Sequence, residues 1–468
     1  MVFADMGRRV RLLVILTIGI PLIMALPVNA ASLGGKCTKS GMTQITKGVS
    51  YVCVKSGKKN IWKVKPSTIK GVVATTTTTI PRTLTPATML SDLGLVSPAS
   101  TCKLSHSNAD GGNSLVRTGF PRQVDAALPA GDVVVQVVSV DYPNLQIDRS
   151  IQGTKSLAEL IQPITDGVTR YYDAVSGGRL HFVWRLPTQT VRMPQNIEYY
   201  NLSRESRNNG FAFIQDVINA TDSVTDFSGA NFLFVVNPET ATSAQIGPGT
   251  AQQMTKRWKF RTDEGDIYRS TFTGAELWQG AGGAWQVVSH EFGHSLGLPD
   301  LYRFATGQDV VGSFDLMGGP SYRGAIELTA WHKWELGFLE DAQILCLKDP
   351  VSVRYWISPV SAGSRQYEAL IIPTSTTTAV VIESRRKERF DKDAEIMPST
   401  GGLLIYTVDT AFLSGMGPLR ILRKASSTQP TFYDAILGAG EELQVGSYLI
   451  KNVESGDWGD VAEVRRNP

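Results

Sequence analysis

The stretch HEFGHSLGLPD, which runs from His290 to Asp300, decides the fold. At about 100° per residue, a helix through this stretch places Val288 and Phe292 on one apolar stripe. His290 and His294 then project from nearly the opposite side, one turn apart. Because a helix repeats every 5.4 Å and zinc binds nitrogen at about 2.0 to 2.1 Å, the two imidazoles can hold one ion.

Two acidic residues complete the pattern. Glu291 is rotated by roughly 80° from the mean histidine direction, so it flanks the ion and can take a proton from a water molecule there. Gly297 can adopt the left-handed conformation that ends a helix, which lets Asp300 swing back as a third ligand. Three protein ligands and an open fourth position are typical of catalytic zinc. A bare HExxH also occurs on solvated helices without metal, whereas the longer pattern HExxHxxGxxD is far more specific for a metal site.

The stretch resembles the signature of metzincin peptidases, specifically the immune inhibitor A-like family, in which aspartate replaces the third histidine of most metzincins. The resemblance covers roughly Asp132 to Asp409. Its further segments are Val134 to Pro143, Tyr171-Tyr172, Ser176 to Leu180, Leu298 to Tyr302, Phe314 to Gly318, Ala330 to Phe338, Ile382 to Arg385 and Gly402 to Asp409.

This resemblance implies a zinc endopeptidase with a metzincin-like catalytic domain. It also implies that Met317 is the Met-turn residue beneath the ligands. The alternative interpretation is a methionine that only fills an irregular gap in the core. Some metzincins place an oxyanion-stabilising tyrosine after this turn. Tyr322 is the nearest candidate, at a different offset, and Tyr302 fits a packing role equally well.

A second cation, Ca²⁺, is considered because relatives that act outside cells often bind it. The chain lacks an Asp-x-Asp-x-Asp-Gly loop. The tight acidic cluster Asp391, Asp393 and Glu395 lies among basic residues and is interpreted as a solvated charged turn. His106, His181 and His332 are interpreted as ordinary polar positions.

Composition excludes several classes of protein. The 468 residues are 42% hydrophobic and 19% charged, which favours a substantial core over a disordered chain. The net charge of +3 excludes a polycation that coats nucleic acid. Residues 32–65 carry eight lysines and no acid, and residues 1–31 carry +2, so the remainder is −7. The lysine-rich segment is interpreted either as a contact to anionic cell-wall polymers or nucleic acid, although it has no motif for specific nucleic-acid recognition, or as a soluble spacer.

The first 31 residues predict an export signal. Arg8, Arg9 and Arg11 precede an apolar run from Leu12 to Leu26, and small residues follow at Val28-Asn29-Ala30. The run is shorter than the ~20 residues that span a bilayer, which disfavours the alternative of an uncleaved anchor. We therefore expect a secreted, extracellular protein.

Four cysteines in an exported chain favour two disulfides. Cys37 with Cys53 would close the lysine-rich segment, which is too small to fold by burial alone. Cys102 with Cys346 would join the two ends of the central region. A rival role for Cys102, as a thiolate that plugs the metal of a latent precursor, would leave Cys346 unpaired.

The pattern of apolar residues predicts an α+β protein: a metzincin-like zincin catalytic domain followed by an all-β sandwich, with a small disulfide-closed N-terminal module. The predicted divisions are a signal peptide (1–31), the basic module (32–65), a Thr/Pro-rich linker or prosegment (66–101), the catalytic domain (102–345) and the sandwich (346–468). Predicted helices cover 157–175 and 211–219, and predicted strands cover 132–141, 179–186, 231–236, 351–357, 369–373, 379–383, 403–408 and 448–453.

We therefore expect a secreted zinc endopeptidase that acts on proteins or peptides. Two alternatives remain: a catalytically inactive binding or adhesion protein that keeps the fold, and a zinc amidohydrolase that acts on a non-peptide amide. Intact His290, Glu291, His294 and Asp300 disfavour the first.

Overall fold

A computed structural model describes most of the chain. The described residues are 36–46, 49–56, 59–64, 96–106, 115–123, 125–147, 155–203, 209–247, 250–253, 259–272, 274, 284–318, 327–392, 398–427, 432 and 434–467. They belong to two compact units, Met1–Thr79 and Ile80–Pro468.

The first unit is a three-stranded antiparallel sheet. Its strands are β1 (Thr43–Thr46), β2 (Val49–Ser56) and β3 (Lys59–Val64). Cys53 and Trp62 face each other across β2 and β3 and are buried. The predicted disulfide between Cys37 and Cys53 is confirmed. Five lysines of this unit are exposed, namely Lys36, Lys39, Lys55, Lys59 and Lys63.

The second unit contains both helices and strands. Its strands are β4 (Val96–Ser97), β5 (Gly131–Asp141), β6 (Leu180–Arg185), β7 (Thr190–Arg192), β8 (Phe232–Val236), β9 (Thr250–Gln253), β10 (Phe260–Arg261), β11 (Asp266–Ile267), β12 (Arg269–Phe272), β13 (Ile344–Leu347), β14 (Ser352–Ile357), β15 (Ala369–Pro373), β16 (Thr378–Arg385), β17 (Gly402–Asp409), β18 (Leu419–Ile421), β19 (Glu442–Val445), β20 (Tyr448–Gly456) and β21 (Gly459–Arg466). Its helices are α1 (Leu157–Val175), α2 (Ile197–Tyr200), α3 (Gly210–Thr221), α4 (Ala284–Ser295) and α5 (Ala330–Glu335), and short 3₁₀ turns cover Ala99–Cys102, Asp222–Val224, Asp341–Gln343 and Arg389–Asp391.

The central sheet of this unit has the order β6-β5-β8-β12-β9, with β7 also paired to β5. Strands β6, β5, β8 and β12 run parallel, and β9 runs antiparallel to β12 at the edge. Strand β5 is almost wholly buried, as its continuous apolar run predicts.

Helices α1 and α4 cover this sheet. Helix α1 begins with a capping box formed by Ser156 and Glu159, which satisfies free backbone N–H groups. The indole of Trp285 on α4 occupies the space that a Cβ at Gly167 of α1 would need, so the glycine permits the two helices to approach closely. Seven positions further along α4, and so on the same face of the helix, Phe292 packs against Phe182 and other aromatic rings of the sheet. The ligand-bearing helix is therefore fixed by both α1 and the sheet.

Two further sheets consist of β4 and of strands that follow the central sheet in the chain. One has the order β18-β17-β16-β15-β13-β4 and the other the order β14-β21-β20-β19. They bury a common apolar cluster that includes Ile357, Ile382 and Ile450. The opposite face of the six-stranded sheet, with Val381 and Tyr406, joins the apolar cluster that also contains Phe292. The sheet that contains β13 and β15 to β18 is thus buried on both faces. The structure shows a protein of mixed helices and sheets. The division into a metzincin domain and a β-sandwich domain stays a prediction.

The predicted disulfide between Cys102 and Cys346 is also confirmed, and both residues are fully buried. It excludes a free thiolate at Cys102 and therefore the rival role as a metal plug. Val96 and Ser97, at the end of the predicted linker, form β4 and pair with β13. No helix among the described residues is long and apolar enough to cross a membrane.

Candidate metal centre

Helix α4 presents two histidines side by side. The rings of His290 and His294 have centroids 4.8 Å apart and lie nearly perpendicular. The Nδ1 atom of His290 lies 2.9 Å from the carbonyl oxygen of Leu316, and that of His294 lies 2.8 Å from the carbonyl oxygen of Leu298. Since a carbonyl can only accept, each Nδ1 carries the proton. In the neutral form of either ring, this tautomer places the lone pair on Nε2, the atom that faces Asp300.

Asp300 reaches the same point after the helix ends. Gly297 has a φ of +105°, the positive value predicted for the residue that reverses the chain. Asp300 Oδ1 lies 3.1 Å from His290 Nε2 and 3.4 Å from His294 Nε2. The ligand atoms of the three side chains all lie within 4.8 Å of one another.

This group of atoms fits a divalent zinc ion. Two imidazole nitrogens and a carboxylate oxygen that meet at one buried point are stabilised by a cation among them. Ligands held about 2.0 to 2.2 Å from a tetrahedral ion are about 3.3 Å apart, which matches the two distances from Asp300 Oδ1. The three side chains are only 12 to 16% exposed, so water can screen little of their charge. Two imidazoles and one carboxylate are a typical zinc ligand set.

The electrostatics of the group also favour a bound cation. Burial alone disfavours a charged His294, but the neighbouring carboxylate of Asp300 outweighs burial and raises the pKa of His294 to about 9. Burial likewise disfavours a charged Asp300, yet His294 and His290 hold the pKa of Asp300 well below its usual range. Positive charge at this point therefore stabilises the carboxylate.

Glu291 lies beside this group on α4 and is 7% exposed. Burial raises the pKa of Glu291, while His294 and His290 act in the opposite direction. The backbone N–H of Ala251 in β9 donates to the Glu291 carboxylate. The carboxylate is thus held at the junction of the ligand-bearing helix and the edge strand of the central sheet.

Met317 packs beneath the ligands and is fully buried. A Cβ at Gly293 would lie only 2.6 Å from the Met317 sulfur, so the thioether contacts the helix backbone between the two histidines. The backbone N–H of Leu301 donates to the Met317 carbonyl at 2.9 Å. The requirement for glycine at position 293 has no local signal in the sequence, because it arises from Met317, 24 positions away.

A buried ion pair organises the turn that carries Met317. One oxygen of Asp315 accepts from the Met317 N–H at 2.8 Å, and the other accepts from the Thr329 N–H at 2.8 Å. His332 Nδ1 lies 3.0 Å from this second oxygen, and both side chains are fully buried. Although burial opposes its charge, Asp315 raises the pKa of His332. The interpretation of His332 as an ordinary polar position was therefore wrong. The residues around His332 in the sequence give no sign that Asp315 lies beside it in the fold.

Arg385, at the end of β16, fixes the same turn from the C-terminal side. Its guanidinium is fully buried and donates to the Phe314 carbonyl at 2.7 Å, to Glu383 at 2.6 Å and to Asp391 at 2.9 Å. The interpretation of Asp391 as part of a solvated turn was wrong, because this residue is fully buried. The ion pair with Arg385, six positions earlier in the chain, overrode the local polarity of the segment.

The remaining predicted residues either make other contacts or lie outside the described residues. Tyr302 is half-buried, and its ring packs against Phe304 with the centroids 5.4 Å apart. His181 forms an exposed pair with Asp173, and His106 lies beside Arg117. Tyr322, Asp393 and Glu395 lie outside the described residues. Within the described part of the chain, His290, His294 and Asp300 are the one group suited to a metal, so Ca²⁺ gains no support.

The comparisons with known proteins point to the same segment. Residues 242–342, about a fifth of the chain, match the family described as immune inhibitor A peptidase M6, catalytic domain. No curated protein matches the chain at a significant level. The resemblance drawn from the sequence is confirmed over this segment, which contains all three candidate ligands and Glu291.

Proposed function

We propose that this protein is a secreted, zinc-dependent endopeptidase in which Glu291 is the general base. The convergence of His290, His294 and Asp300 on one point carries the proposal, together with the peptidase-family match of the surrounding residues. That match supports a metallopeptidase; the identity of the metal, the role of Glu291 and export are our inference.

The three candidate ligands would hold the ion through two Nε2 atoms and one carboxylate oxygen. A zinc ion bound there supplies a Lewis acid that polarises the scissile carbonyl and acidifies a water molecule. The carbonyls of Leu316 and Leu298 hold the two imidazoles in the tautomer that leaves Nε2 free. The chain itself therefore pre-orients the ligands.

Glu291 moves the proton. Its carboxylate takes a proton from the attacking water and returns it to the leaving amine, so both steps use one group. Burial raises the pKa of Glu291 and thereby strengthens it as a base. The backbone N–H of Ala251 in β9 also stabilises the charged form of this carboxylate.

The position of β9 favours a peptide substrate. It is the edge strand of the central sheet, and among the described residues it pairs only with β12. An extended peptide can add to such an edge through backbone hydrogen bonds. Since Ala251 of β9 also contacts Glu291, a peptide bound along this edge would pass close to the general base.

Export is supported by the cationic and apolar N-terminus and by two disulfides, which persist in oxidising compartments. Attachment to anionic cell-wall polymers through residues 32–65 stays a prediction. The exposed lysines of the first unit are compatible with it, and the comparisons give it no support.

Digestion of unfolded casein tests the proposal. We expect the zinc-loaded protein to cleave internal peptide bonds, a strong chelator to stop cleavage, and added zinc to restore it. Glu291→Gln should keep its zinc and lose about 10² to 10⁴-fold in kcat, the usual contribution of a general base. The matched control is Glu264→Gln, which changes an exposed glutamate in the same family-matched segment and should leave kcat unchanged.

Each other outcome identifies a different function. If the protein binds zinc but hydrolyses neither casein nor any other amide, it is the binding or adhesion protein. Intact casein with hydrolysis of a small non-peptide amide would indicate the amidohydrolase. Full activity in Glu291→Gln would remove the mechanism while leaving the peptidase assignment in place.

A further inference from the structure

The loop from Thr410 to Gly417 brings a residue of the C-terminal region to the metal centre. It follows β17 and lies outside the family-matched residues 242–342. Ser414 in this loop is 114 positions from Asp300 in sequence, yet the two residues are in direct contact. No sequence pattern predicts this contact.

Ser414 contacts Asp300 at two points. The backbone N–H of Asp300 donates to the Ser414 hydroxyl oxygen at 2.9 Å, and that hydroxyl faces Asp300 Oδ2 at 3.5 Å. The other oxygen, Oδ1, is the one that faces His290 and His294. The two oxygens of the carboxylate are therefore distinguished: one is turned to the candidate ion and the other to a hydroxyl donor.

The loop is itself fixed in place. The N–H of Gly415 donates to the Asp300 carbonyl at 3.0 Å, and the Gly415 carbonyl accepts from the N–H of Phe304 at 2.9 Å. Gly415 has a φ of +75°, and the ring of Phe304 occupies the space that a Cβ at this position would need. The hydroxyl of Thr410 anchors the start of the loop by donating to the Ser105 carbonyl at 2.7 Å. Ser414 is thus presented to Asp300 by a rigid turn.

We propose that Ser414 is a positioning residue for the third metal ligand. Its hydroxyl accepts from the Asp300 N–H and faces Oδ2, which limits rotation of the carboxylate and presents Oδ1 to the ion. Partners of this kind orient a ligand, and removing one costs about 10 to 100-fold in metal affinity. This inference rests on the proposed zinc site and extends it to a region that the family match does not cover.

The test compares Ser414→Ala with Ser414→Thr and wild type. Zinc affinity is measured by competition with a chromogenic chelator, and the Co²⁺-substituted proteins are compared by visible absorption. We expect Ser414→Ala to bind zinc about 10 to 100-fold more weakly and to show an altered cobalt spectrum, while Ser414→Thr stays within about threefold of wild type because it keeps the hydroxyl. Ser427→Ala is the matched control, since the Ser427 hydroxyl has no hydrogen-bond partner among the described residues.

Two results would overturn the inference. One is a Ser414→Ala protein with wild-type zinc affinity and cobalt spectrum, even if it unfolds more easily, because the serine would then serve stability alone. The other is equal loss in Ser414→Ala and Ser414→Thr, which would assign the effect to packing. Failure of wild-type protein itself to bind zinc would instead refute the proposed function.

Discussion

The metal centre has a local half and a distant half, and they are built differently. The local half is one helical turn, on which His290, Glu291 and His294 lie within five consecutive residues. The distant half consists of Asp300 and the turn around Met317, which are held by Ser414 and Arg385. Both of these supporting residues come from the region after β13.

The two halves differ in what holds their residues in place. Helical geometry alone brings the two imidazoles together, whatever the rest of the chain does. The third ligand and the Met317 turn depend on tertiary contacts that span many residues. Changes in the distant half should therefore alter stability and metal affinity, whereas changes in the local half should abolish metal binding or turnover.

Replacing Arg385 should give the largest loss of stability in the distant half. Arg385→Met leaves the fully buried Glu383 and Asp391 without their cation. Breaking a buried ion pair by removing one partner typically costs about 3 to 5 kcal/mol. We expect this decrease in the free energy of unfolding, measured by urea denaturation of the metal-free protein.

The matched control for Arg385 is the exposed Arg365. Arg365→Met should change the free energy of unfolding by no more than about 0.5 kcal/mol, as most surface substitutions do. Equal unfolding midpoints for the two variants would show that Arg385 of β16 does not support the Met317 turn. The distinction between the two halves would then fail.

Removing the disulfide of the second unit should have a somewhat smaller effect. The paired substitution Cys102→Ala with Cys346→Ala frees a bond that joins residues 244 positions apart. We expect a loss of about 2 to 5 kcal/mol in the free energy of unfolding, since native disulfides mainly restrict the unfolded chain. At temperatures where the variant stays folded, kcat should be unchanged because neither cysteine contacts a candidate ligand.

The other disulfide provides the control for that experiment. Cys37 and Cys53 lie in the first compact unit and are 16 positions apart. Their paired replacement by alanine should leave the unfolding of the second unit unchanged, as followed by loss of peptidase activity. An equal effect of both pairs on that transition would contradict the division into two units.

Much of the local structure could be predicted from the sequence. The bounds of α1 match the predicted helix, and β5 and β15 match predicted strands to within one residue, because apolar periodicity and flanking glycines are local signals. The positions of His290 and His294, and the reversal at Gly297, follow from the same local rules. Both disulfides were also predicted.

Asp300 and Met317 were predicted, but the contacts that support this distant half could not be predicted in the same way. His332 and Asp391 are polar residues whose local sequence indicates solvent, yet each is buried by a partner from another element. Ser414 lies in a segment with no motif, and its role depends on the path of a loop. Gly293 is required because Met317 packs onto it. Such features depend on long-range packing, which a single sequence does not encode as a readable pattern.

The most direct test of the account is metal analysis of the purified protein beside His294→Ala. We expect close to one zinc ion per wild-type chain and casein cleavage that depends on this zinc. We expect His294→Ala to lose the zinc and the cleavage together while the second unit stays folded. Retention of zinc and of casein cleavage by His294→Ala would contradict the claim that His290, His294 and Asp300 form the catalytic metal site.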